Sequence, residues 1–297
     1  MEALLSVAFD NLSSFDGLKI KKGMKLVEGL LAQICLSQPS SPTKSPIKRP
    51  SSQDGGSPPT TAPKSLPELA HDPAFRDFFK LQEGFEWNVA QRLLTTLDRL
   101  VAKGADGQND LLILSALDLI QGVLLLHPPS KALFSREIYM NLLLDLIEPI
   151  NCPAIQCATL LTLVVALIDT PTNTRTFEAL DGLLAVTSLF RDRDTSRETK
   201  VRLLEFLYFY LMPETPSIPK ANAQGGALLS RSPSKLARVF GGAGGGQKKR
   251  EQDEEEGRGT RMMEEKQRLL NQHLPEDHVE QLVRDLRTSA PFGVALL

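Results

Sequence analysis

Cys152 and Cys157 are separated by four residues, a spacing that supplies half of a tetrahedral metal site, which needs a second ligand pair. None accompanies them, and cysteines on an apolar helix read as core residues. His273 and His278 lie five apart with Pro275 between them, so they do not share the i, i+4 face that a helical metal pair uses. His71 and His127 stand alone, and the run His127, Pro128, Pro129, Ser130 reads as a helix stop followed by a new cap. The glycine tract at 241–246 is followed by Gln247 and only then by Lys248, whereas a phosphate loop needs Gly-Lys-Ser/Thr in direct succession. The chain has no G-x-S-x-G elbow, no H-E-x-x-H helix, no kinase signature set and no G-x-G-x-x-G turn, so no catalytic, cofactor or metal residue is assigned.

The sharpest chemical signal is a substrate signal. Ser41, Ser45 and Ser232 are each followed by proline and, two residues later, by lysine, the pattern of a proline-directed cell-cycle kinase. Thr215-Pro216 and Ser57-Pro58 are minimal versions. Each phosphate adds about −1.5 to −2 charges, enough for two of them to cancel the net +3 of residues 37–65.

These sites fall in segments set apart by composition. Residues 37–65 hold seven prolines and eight serines and no aromatic side chain, so burial cannot offset the entropy of ordering them. Residues 213–260 pass from a Pro-rich start through the glycine tract to a charged run, and read as a second disordered linker. The rest is leucine-rich, with 50 leucines in 297 residues and aromatics at 6%, which favours helices over strands. The expected organisation is N-terminal helices at 1–36, the insert at 37–65, a helical core at 66–212, the linker at 213–260 and C-terminal helices at 261–297.

Apolar residues at helical spacing place helices over 18–36, 87–101, 138–147 and 170–190, with apolar-all-round helices at 111–126 and 154–168 that must be covered on every side. Asp72-Pro73 and Thr170-Pro171 read as caps with proline at the first helical position. Thr195, Ser196, Arg197 and Glu198 form a capping box, and Ser130 and Asn173 also read as caps. No segment alternates with period two, so the fold class is all-α, and the helix lengths suit an armadillo-like or HEAT-like solenoid with long disordered linkers. The apolar run 152–168 is shorter than the roughly 20 residues a membrane span needs.

Three cysteines and no basic-apolar leader are expected for a reduced, cytoplasmic chain. Acids exceed bases 36 to 34, but residues 66–212 carry a net −6 while both linkers are basic. An acidic helical core with basic arms points to protein partners and away from nucleic acid.

Five stretches then resemble one family: FKLQEGFEWNVAQRLL at 79–94, LLLLHPPSKALFSRE near 123–137, TFEALDGLLAVTSLF at 176–190, EFLYFYLMPET at 205–215 and LVRDLRTSAPFG at 282–293. Together they are similar to the fungal cell division control protein 14 family, a septation initiation network component unrelated to the phosphatase of the same name. The resemblance covers about 1–215 and 261–293. It implies a non-catalytic subunit that binds a germinal-centre-type protein kinase and supports its activity at the spindle pole body in cytokinesis and septum formation. Within the matching stretches Trp87, Asn88, Arg92, Arg136 and Arg175 are the candidate partner-binding residues. Read without the resemblance, the chain is a general armadillo-like adaptor in intracellular transport.

Overall fold

The computed structural model describes residues 1–36, 62–102, 107–214 and 260–289. These residues form an all-α fold in two compact units, the first made of 1–133 and 150–165, the second of 134–149 and the residues from 166 on. Ser41, Ser45 and Ser232 lie outside the described residues. Among the described residues no single helix is long and apolar enough to cross a membrane.

The first unit begins with α1 (Glu2–Leu12) packed on α2 (Gly17–Cys35). Asp16 caps α2 by accepting the N–H of Leu18 at 2.9 Å. Gly23 lets the two backbones meet: a Cβ there would stand 2.9 Å from both the Ala8 carbonyl oxygen and the Leu12 nitrogen. Two short helices follow, α3 (Leu66–His71) and α4 (Pro73–Glu83), the latter capped as expected by Asp72, which accepts from Ala74 and Phe75. Next, α5 (Val89–Ala102) carries Arg99, whose guanidinium donates to the carbonyls of Leu12 and, at 2.8 Å, Ser13. A cation thus covers the orphan carbonyls that end α1.

Then α6 (Asp110–Leu126) packs on α2 and α5. Its inner face, Ile113, Ala116, Leu117, Ile120, Val123 and Leu124, is buried, but Leu111 is 78% and Leu125 63% exposed. The expectation of cover on every side therefore fails for this helix. A 3-10 helix, Pro128–Ser135, replaces the expected fresh cap, with Ser130 buried inside it. The core helix α8 (Pro153–Leu167) keeps Thr159 and Thr162 buried by returning each hydroxyl to the carbonyl one turn earlier, and Cys157 is buried as a core residue.

The second unit contains α7 (Glu137–Leu146), α9 (Pro171–Ala179), α10 (Gly182–Arg191), α11 (Arg197–Leu211), α12 (Met263–Leu270) and α13 (Glu276–Ser289). The single helix expected over 170–190 is two. Asp181 takes a left-handed backbone at φ 58° and breaks the run, and Gly182 lies so close to Phe177 that a Cβ would stand 2.3 Å from its ring. Periodicity continues across the break because both pieces bury one face. The capping residue of α11 is Ser196, which accepts from Thr199 at 3.1 Å, while Thr195 instead donates to the carbonyl of Leu189. Asn173 is an interior residue of α9 that donates to the Ala166 carbonyl at 2.7 Å. The apolar stripe of α13, Val279, Leu282, Val283 and Leu286, is buried, and the helix packs on α11 with Tyr208 donating to Asp285 at 3.2 Å.

Candidate functional site

Three of the candidate partner residues gather in the first unit. Trp87, half-buried at the entry to α5, stacks on Phe9 of α1 with ring centroids 6.2 Å apart, and the Arg92 guanidinium lies 5.4 Å from the same Phe9 ring. Asn88 is a cap: its Oδ1 accepts the N–H of Gln91 at 2.9 Å, while its amide donates to the Gln82 carbonyl at 2.9 Å and to Ser130 Oγ at 3.2 Å. Gln82, 1% exposed, donates to the Trp87 carbonyl and accepts from the N–H of Val89 at 2.8 Å. The Gln82 and Asn88 side chains thus hold the end of α4 against the start of α5, and Asn88 ties both to Ser130.

The turn continues into a serine–histidine pair. His127 Nδ1 and Ser130 Oγ lie 2.8 Å apart, with the Phe79 ring set edge-on to the imidazole at 4.5 Å between centroids. A nucleophile and its base adopt such a spacing, but the two residues are 2% and 3% exposed, so no substrate reaches the hydroxyl. Burial pushes the His127 imidazole below its ordinary range, the Glu83 charge opposing this, and its Nε2 has no hydrogen-bond partner among the described residues.

Arg136 and Arg175 belong to the second unit. Arg136 is exposed at the start of α7 and makes no ion pair among the described residues. Arg175 sits in a largely buried ionic network. Its guanidinium contacts Glu178 at 3.0 Å and pairs with Glu214; Arg261 reaches Glu178 at 2.8 Å; Lys266 reaches Glu214 at 3.2 Å and donates to the Met212 carbonyl at 2.8 Å. Tyr210 donates its hydroxyl to Glu178 at 2.7 Å, and the Lys266 ammonium lies 5.2 Å from the Tyr210 ring. Burial raises the Glu178 carboxyl and lowers the Lys266 ammonium from their ordinary values, against the pull of their partners, and it raises the Tyr210 phenol. Three cations meet two carboxylates, and the arrangement is a clamp that joins α9, the end of α11 and α12.

Composition assigned Glu214 to the linker and left Arg261 at its edge. The signal that reaches Glu214 is the family-like stretch at 205–215, which runs past the compositional boundary at 213. Pro63 and Lys64, in the stretch read as the first insert, are likewise placed: Pro63 forms a β-bridge with Leu36, and Lys64 donates its N–H to the Cys35 carbonyl at 2.8 Å and pairs with Asp72. Among the described residues there is no group of three or more His, Cys, Asp or Glu able to hold a metal ion.

A concave surface of the first unit runs between α2 and α6. It comprises two adjoining clefts of about 900 and 490 Å³ that share Lys21, Ser115 and Asp118.

No solved structure matches the chain. Cell division control protein 14 of Schizosaccharomyces pombe is 34% identical over 149 residues, which is 48% of this chain and 62% of that protein, so the alignment spans less than two thirds of the relative. The family model described as Cell division control protein 14, SIN component, matches residues 1–292, with both inserts inside its bounds. The chain belongs to this family of septation initiation network components, which serve cell division control in cytokinesis and septation.

Proposed function

We propose that the chain is a non-catalytic regulatory subunit that binds a germinal-centre-type protein kinase of the septation initiation network and supports its activity and placement at the spindle pole body. The observation that carries this reading is the family match along the helices together with the fate of the polar side chains. The serine–histidine pair found at hydrogen-bond distance among the described residues is sealed from solvent, and the charged cluster is consumed in packing α12 against α9 and α11. What is left for function is surface, which suits a partner protein better than a substrate. The serines Ser41, Ser45 and Ser232 are proposed targets of a proline-directed cell-cycle kinase, which would switch the charge of the two basic arms.

The test is affinity purification of the tagged full chain from mitotic cells, with quantitative mass spectrometry of partners and phosphosites. Recovery of a germinal-centre-type kinase near one-to-one supports the reading. Recovery of a transport receptor or coat subunit with no protein kinase overturns it in favour of the adaptor alternative. Absence of phosphate on all three serines removes the switching role alone.

A further inference from the structure

We propose that the groove between α2 and α6 receives an amphipathic helix whose apolar seam is flanked by acidic residues on the α2 side. The identity of the donor as the kinase rests on the function proposed above; the groove and its chemistry do not.

Four observations lead there. First, the lining recurs at helical spacing on both walls: Leu18, Lys21, Lys25, Glu28 and Ala32 from α2 face Leu111, Ser115, Asp118, Gly122 and Leu126 from α6. The span 18–36 at 1.5 Å per residue makes a trough about 27 Å long, the length of about five helical turns. Secondly, Ser115, Gly122 and Ala32 are small and leave the cleft open between the walls, over an apolar floor in which Leu119 is half-buried and Met24 and Leu31 belong to the core. Thirdly, large apolar side chains stand in solvent at one end, with Phe15 74%, Leu18 80% and Leu111 78% exposed, a pattern that marks recognition surfaces. Fourthly, Lys21, Lys22 and Lys25 are exposed on the same face as Leu18, at the i, i+3, i+4 and i+7 spacing, and none of them has a carboxylate partner among the described residues. Of the carboxylates in the lining, Asp16 is engaged in capping α2, Asp118 stands on the α6 wall and lines both clefts with Lys21, and Glu28 lies farther along α2. The α2 lip is therefore positive over its first two turns and negative beyond.

The charge excludes other occupants. A second copy whose two-fold axis passes through the lysines would set like charges against each other, and the Ser115 crosslink below detects any other pairing of copies. Within the chain, residues 37–61 are basic and have one acid, 251–256 are acidic with no apolar residue, and 290–297 are apolar with no acidic side chain. None combines the seam with the acids. A trough also accommodates a helix better than a planar bilayer, although lysine with exposed phenylalanine and leucine is chemistry that an anionic membrane shares.

The experiment uses the full chain and two fluorescent helical peptides of about 18 residues, one with a leucine seam and glutamate flanks, the other with the same seam and lysine flanks. The glutamate peptide binds about tenfold or more tightly than the lysine peptide, and K21E/K25E reverses the preference. A photo-crosslinker at Ser115 captures the bound peptide and, in the kinase complex, an acidic amphipathic segment of the kinase. The lysines are exposed, so thermal melts of K21E/K25E match the parent.

Equal binding of the two peptides, or none, overturns the proposal. So does attachment of the Ser115 crosslink to this chain's own residues or to a second copy. Binding to phosphatidylserine vesicles that K21E/K25E abolishes, without peptide discrimination, assigns the face to a membrane instead. Peptide discrimination with no kinase in the purified complex leaves the groove standing and sinks the kinase reading; kinase binding unaltered by K21E/K25E leaves the kinase reading standing and overturns the assignment of this groove to the kinase.

Discussion

Arg261 donates its backbone N–H to Glu214 Oε2 at 2.9 Å, so residues separated by 46 positions of intervening chain lie in direct contact. The same carboxylate pairs with Arg175 of α9 and Lys266 of α12. One acidic side chain therefore joins the end of α11 to the start of the C-terminal helices.

Glu214→Ala strips the buried Lys266 ammonium of its paired carboxylate and takes from the half-buried Arg175 one of its two. Breaking a buried pair from one side costs roughly 3–5 kcal/mol, so urea unfolding of the second unit shifts to a markedly lower midpoint. Amides at 263–270 exchange faster than those of α9. Unchanged exchange at 263–270 would show that α12 is held by its apolar contacts alone, through Met263 and Leu270.

Gly182→Ala places a methyl group 2.6 Å from the Phe177 carbonyl oxygen as well as against its ring. The ring can rotate, but the carbonyl belongs to the helix, so the cost is that of overpacking, about 1–3 kcal/mol. Chemical denaturation reads it directly. A neutral result would mean that α9 and α10 shift apart freely at Asp181.

His127 supplies a pH dependence. Its imidazole sits below the ordinary 6.5 because burial disfavours the cation. The unfolded chain takes up a proton that the folded chain resists, so stability falls as pH drops below 6.5 and is recovered as pH rises through that window. His127→Gln removes this contribution. Urea midpoints measured for both proteins at about pH 7.5 and about pH 5.5 should show a smaller acid-induced loss in the variant; equal losses refute the assignment.

Trp87→Ala and Arg136→Ala separate packing from binding. Trp87 loses its stack on Phe9, with a cost of roughly 1–3 kcal/mol for a half-buried aromatic. Arg136 is exposed and unpaired among the described residues, so its removal leaves stability within about 0.5 kcal/mol. Any loss of partner binding in Arg136→Ala is then a contact effect, whereas in Trp87→Ala it tracks the melt.

The helices were legible because burial writes a period of 3.6 into apolar positions, as in α2 and α5, and because Asp72 announces its cap with the proline that follows it. The break at Asp181 was not legible, since Leu180, Leu183, Leu184 and Val186 keep a helical rhythm on both sides, and only a left-handed backbone with a glycine beside Phe177 separates them. Composition also hid Glu214. A carboxylate next to Pro213 and Pro216 reads as linker, and its role depends on two cations that approach from distant parts of the sequence. The structure puts the candidate residues to different uses: Asn88 and Arg175 hold the fold together, Trp87 and Arg92 flank Phe9, and Arg136 is exposed with no ion pair among the described residues. The α2–α6 groove escaped attention because its lysines look like an ordinary solvated face until the exposed leucines beside them are seen.

Leu36 meets Pro63 and Glu214 meets Arg261, so the two ends of each intervening segment are held together at one point of the described structure. A change in the number of residues between either pair leaves both ends where they are. The length of each segment is therefore a quantity that the described helices do not fix.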